Sequence, residues 1–201
     1  MIKNRKGMTA AELMARLERD PVYVRRRRKR EKVQKEREEE YARAEAPLVD
    51  ALRAGGVQIS SVWDLVNSKE PYPRQVLPIL FEHLDRPYPE RVREGIARAL
   101  AVPESRSRSD DLVGRFLAET DTTTHGMKWA LHLAIAAAAD VTVVETLSQL
   151  ACDQRHGRNR ALFIDALARI DDPRARIALA KLANDPVLAD DIRRVTKNRR
   201  S

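Results

Sequence analysis

At 201 residues and a net charge of +8, the chain is long enough for one sizeable core plus an appendage. Aromatics are 4% and glycines only 7, while Ala and Leu abound, which argues against a sheet and for close-packed helices. The single Cys152 cannot form an internal disulfide, the basic first seven residues lead into no apolar run, and the longest apolar run, residues 133–139, is too short for a bilayer. These features predict a cytoplasmic protein with no membrane partner.

The charge is uneven. Residues 1–35 carry +9, residues 36–50 carry −4, residues 51–192 carry −2, and the tail from Arg193 carries +5. A nearly neutral body with basic arms is the pattern of a scaffold whose ends meet anions.

Thr9 and Glu12 form a capping box that opens a short helix with Leu13, Met14 and Leu17 on one face. Asp20-Pro21 restarts the chain, Asp as N-cap and Pro at the first helical position. The next helix is predicted from Pro21 to about Glu45. Val33 is the only aliphatic residue between Arg25 and Glu40, so there is no heptad seam. Its basic half precedes its acidic half, against the helix dipole.

Pro47 is predicted to open a further helix that the pair Gly55-Gly56 ends, and Ser61 to Asp64 to cap another short one. From Pro73 the periodicity predicts helix pairs at 73–85 with 89–102, 109–120 with 125–139, 140–152 with 157–170, and 173–184 with 187–197. Pro78 falls inside the first of these and is expected to kink it. The organisation is therefore a charged helical extension at 1–46, short helices at 47–70 that lead into or cap an array, and a repeat domain at 71–201 with a basic tail.

The chain also repeats itself. His125-Gly126-Met127-Lys128-Trp129-Ala130-Leu131 recurs as His156-Gly157-Arg158-Asn159-Arg160-Ala161-Leu162, an offset of 31 residues. A period near that length, with two helices per unit, signals a stacked helical array. The segment Val92-Arg93-Glu94-Gly95-Ile96-Ala97-Arg98-Ala99-Leu100 resembles the V-R-x-x-A-A-x-A-L core of HEAT-like repeats. Arg160, Phe163, Ile164, Ala166 and Leu167 match it again, Trp129 and His132 match more weakly, and residues 172–182 resemble the first helix of a final repeat. The resemblance covers about residues 72–197. It implies an all-α fold, a short right-handed, armadillo-like solenoid of about four helix pairs, with the second helices lining a concave face.

Several residues stand out as candidates for partner or nucleic-acid binding. His125 and His156 open equivalent turns, near Lys128, Arg155, Arg158 and Arg160, and read either as an anion-binding edge or as turn chemistry copied by duplication. Arg93, Trp129 and Arg160 share one aligned position, which the resemblance assigns to structural bonds between repeats or to a recognition ladder. His132 is expected to be a core histidine with a satisfied ring. The run Arg25, Arg26, Arg27, Arg28, Lys29 and Arg30 wraps round its helix and calls for phosphates or an acidic protein segment.

No metal-ligand spacing, cofactor motif or catalytic set is present in the sequence, so no metal and no cofactor are expected. The leading expectation is a non-enzymatic adaptor that recognises another protein. The alternative is a nucleic-acid module clamping phosphates with both basic arms. A third reading, by resemblance to HEAT-like alkylpurine DNA glycosylases, would rest on Trp129 and Asp165 alone.

Overall fold

The computed structural model describes residues 9–68, 70–71, 73–120 and 126–198, and contains eleven α-helices and no strand among them. The chain divides into two compact units, Met1–Ala44 and Glu45–Ser201.

The first unit holds α1 (Ala10–Arg19) and most of α2 (Pro21–Ala54). Thr9 and Glu12 cap α1 reciprocally: Glu12 N–H donates to Thr9 Oγ1 at 3.2 Å and Thr9 N–H to Glu12 Oε2 at 2.9 Å. The bonds that Thr9 N–H and then Thr9 Oγ1 donate to the Glu12 carboxylate hold it below its ordinary pKa. Asp20 Oδ1 accepts from Val22 N–H at 2.8 Å and starts α2. No residue of α1 is buried, so capping rather than a core defines it.

In the second unit α2 continues to Ala54, and the helix expected to start anew at Pro47 does not exist as a separate element. An interior proline costs about 3 kcal/mol through its missing N–H and ring clash. Here Leu48, Val49 and Leu52 are buried immediately after it, and Glu45 is tied to the next helix, so packing holds the chain in helical register. Gly56 ends the helix at φ 97°, a backbone angle that favours glycine.

The remaining helices are α3 (Val62–Asn67), α4 (Val76–Leu84), α5 (Glu90–Ala99), α6 (Ser109–Ala118), α7 (Met127–Ala138), α8 (Val144–Cys152), α9 (Ala161–Arg169), α10 (Pro173–Lys181) and α11 (Ala189–Asn198). Pro78 does not kink α4. The helix begins at Val76, so Pro78 lies in its first turn, where no intrahelical acceptor awaits an N–H.

In the row α3, α5, α7, α9, α11 each helix packs on the next. On that row pack α4 against α5, α6 against α7, and α8 and α10 against α9. Packed helix pairs of this kind are compatible with a helical repeat. The stripe Val92, Ile96, Ala99 and Leu100 is buried, as its shared helix face demands, and one continuous apolar core runs from Leu48 to Val195. Gly95 lets α3 approach α5: a Cβ there would lie 2.5 Å from Val62 Cγ1 and 3.1 Å from Trp63 Nε1.

Candidate functional site

Both tryptophans of the chain converge on one arginine. The Arg98 guanidinium, on α5, lies 4.5 Å from the Trp129 ring centroid on α7 and 5.5 Å from that of Trp63 on α3. Arg91 approaches Trp63 as well, at 5.7 Å. Glu94, one turn before Arg98, accepts from its Nε at 2.8 Å and its Nη2 at 2.6 Å, which fixes the guanidinium plane. Both rings are half-buried. A cation held over an aromatic face is attracted by the ring quadrupole, so Arg98 favours the positions both rings occupy. Trp63 Nε1 is buried with no hydrogen-bond partner among the described residues.

Ser61 and Asp64 cap α3 reciprocally, and the buried Glu45 carboxylate sits at the same helix start. It accepts from Ser61 Oγ at 3.0 and 3.1 Å and from Val62 N–H. A carboxylate there opposes the positive end of the helix. Together with Gly95, this anchorage sets the position of Trp63.

The other nominated residues do not join this surface. Arg93 pairs with Glu119 at 3.5 Å. Arg160 is only 2% exposed and is consumed inside the fold by Asp185, Ala151 O and Gly157 O. Arg93, Trp129 and Arg160 therefore form no continuous ladder.

Arg155, His156 and Arg158 line a cavity of about 290 Å³ with Lys128 and Phe116. Its arginines are largely committed: Arg155 to Asp153 at 2.6 Å, Arg158 to Asp191 at 3.1 Å. Lys128 Nζ donates to Glu119 O at 2.9 Å. Arg155 holds the Asp153 carboxyl well below the usual carboxylate range. Burial lowers the pKa of His156, whose Nε2 has no hydrogen-bond partner among the described residues.

The two glycines of the His-Gly echo differ in conformation and place. Gly126 is the extended N-cap of α7, whereas Gly157, at φ 53° and ψ −137°, interrupts a 3₁₀ segment before α9. His125 lies outside the described residues.

His132 is a core residue, fully buried with its ring centroid 3.7 Å from that of Phe163. Its ring is not satisfied as expected: neither nitrogen has a partner among the described residues, because α7 presents it to Phe116, Phe163 and His156. Burial, then the neighbouring His156, pushes its pKa down to about 3. Asp165 is paired with Arg194 at 3.0 Å.

Of the basic run, Arg27 alone is paired, with Glu18 at 3.6 Å and Glu31 at 3.4 Å. Arg25, Arg26, Arg28, Lys29 and Arg30 are exposed and pair with no carboxylate among the described residues. In the tail, Arg193 pairs with Asp190, and Arg194 with Asp165 and Asp191; Arg199 and Arg200 lie outside the described residues.

Among the described residues no His, Cys, Asp and Glu side chains cluster as a metal site, and no helix is long and apolar enough to cross a membrane. No family model matches the chain, and neither a curated protein nor a solved structure matches it. Fold and site together define an all-helical protein built of packed helix pairs, with an arginine-bridged tryptophan pair on its surface.

The sequence singled out Trp129 but not Trp63 or Arg98. Trp63 stands before the segment that resembles a repeat, and only the packing of α3 on α5 brings it to Trp129.

Proposed function

We propose that the chain is a non-enzymatic binding scaffold, a short HEAT-like solenoid of about four helix pairs, which receives a partner protein on the surface of α3, α5 and α7. The observation that carries this reading is the convergence of Trp63 and Trp129 on Arg98. Tryptophan and arginine dominate the energetics of protein interfaces, and rings already held in place lose little conformational entropy on binding. The ion-paired arginines around the Arg155–Arg158 cavity weigh against phosphate capture there. The pairing of Asp165 with Arg194 likewise weighs against glycosylase chemistry. A cytoplasmic setting goes with this reading, since the exposed Cys152 has no disulfide partner within the chain.

The test is comparative co-purification from the native host with wild-type, Trp63→Ala and Trp129→Ala proteins, each checked for unchanged helicity. The reading expects a protein that accompanies wild type in stoichiometric amount and is lost with Trp129→Ala. A partner set identical for all three baits would contradict it.

A further inference from the structure

Helix α2 divides into two electrostatic halves. Beyond residue 30 cations and carboxylates alternate, and part of that charge is paired within the helix: Lys32 pairs with Glu36 and Lys35 with Glu39, each at 3.8 Å, and Gln34 donates to Glu38 at 2.6 Å. Before residue 31 only Arg27 has a carboxylate partner, and five exposed cations remain. Such a concentration is unfavourable at a helix start, because the N-terminal end of the dipole is positive and the i,i+4 pairs Arg25–Lys29 and Arg26–Arg30 repel.

At 100° per residue the five cations span an arc of about 200° round the helix, and Arg27 occupies part of the remaining sector, toward Glu18 of α1. That breadth selects among anionic surfaces. A flat membrane or a single acidic strand meets one side of a helix and leaves part of the arc in water. The B-DNA major groove, about 12 Å wide, admits a helix between two phosphate walls, so an arc of this size has anions on both flanks. The major groove of A-form RNA is too narrow for it. Nearby aromatics are limited to Tyr23 and Tyr41, too few for a stacking platform on single strands.

We infer that residues 25–30 of α2 bind the phosphate backbone of duplex DNA, independently of base sequence, with the helix lying in the major groove. The inference stands apart from the tryptophan surface and survives if that reading fails. It rests on this arm; in the tail, Arg193 and Arg194 are already ion-paired. Five neutralised phosphates give a log–log salt slope of about −4.5, or a roughly 500-fold loss of affinity between 50 and 200 mM KCl.

The experiment is fluorescence anisotropy of the full chain with a labelled 20-base-pair DNA duplex across a KCl series. Two variants remove equal charge: Arg26→Gln with Arg30→Gln from the unpaired half, and Lys32→Gln with Lys35→Gln from the paired half. The inference expects the first variant to flatten the slope by about two phosphates' worth and weaken binding more than tenfold at 100 mM KCl, and the second to change binding less than threefold. Absence of binding at 50 mM KCl would overturn it. So would equal losses in the two variants, which would mark a net-charge effect, or equal affinity for poly-glutamate or phosphatidylserine vesicles.

Discussion

Arg160 and Asp185 meet through two hydrogen bonds, Nη1 to Oδ2 at 2.7 Å and Nη2 to Oδ1 at 3.2 Å. The same guanidinium donates to Ala151 O at the end of α8 and to Gly157 O before α9. Asp185 in turn accepts from Val187 N–H at 2.9 Å ahead of α11. One side chain therefore ties the α8–α9 and α10–α11 connections together, and it holds the Asp185 carboxyl below its ordinary pKa. Removing one partner of a buried pair strands the other. Arg160→Ala is expected to cost about 3–5 kcal/mol in urea unfolding. Arg160→Lys, which keeps the charge but loses the fork, is expected to fall between. A loss below about 1 kcal/mol would show the pair to be dispensable.

His132 makes stability pH-dependent. The unfolded chain takes up a proton near 6.5, whereas the buried ring does so only near 3. Stability is therefore unaffected above pH 6.5 and falls as the pH drops toward 3, by up to about 5 kcal/mol. His83 and His156, also lowered by burial, act with the same sign. His132→Leu is expected to hold its Tm between pH 7 and 4.5 better than wild type does. Parallel Tm profiles for the two proteins would refute this.

Gly95→Ala sets helix propensity against packing. Alanine gains up to about 1 kcal/mol over glycine inside a helix. The new methyl, however, would press on Val62 and Trp63, whose helix is fixed by Glu45. The expected net loss is about 1–2 kcal/mol, with a shift in tryptophan emission as Trp63 is displaced. A stabilised protein with unchanged emission would show that α3 yields freely.

Glu45→Ala removes the acceptor of Ser61 Oγ and Val62 N–H and is expected to cost about 1–3 kcal/mol. Glu45→Gln keeps one oxygen and is expected to cost less. Unfolding midpoints for both variants equal to that of wild type would show that the carboxylate's hydrogen bonds contribute little.

The helices were largely legible in the sequence because their signals are local. Thr9, Asp20, Ser61 and Asp172 cap where their side chains can reach the backbone two or three residues on. The two prolines were misread for opposite reasons. Pro47 lies where packing outweighs a local breaker, and Pro78 where the helix starts too late to need its N–H. The candidate surface was only half legible. Trp129 carries a signal by itself, but its alliance with Trp63 through Arg98 depends on how α3, α5 and α7 stack, and no local spacing encodes that. The ion pairing that separates Arg160 from Arg26 is equally non-local: one meets a carboxylate from another element, and the other meets none among the described residues.

The most direct test of the scaffold reading is photocrosslinking in the native host, with p-benzoylphenylalanine in place of Arg91, beside Trp63, and in place of Ile177, exposed on α10, as control. The account predicts one discrete protein adduct from position 91 that disappears when Trp129→Ala is added, and none from position 177. No adduct at position 91, or the same adducts at both positions, would contradict it.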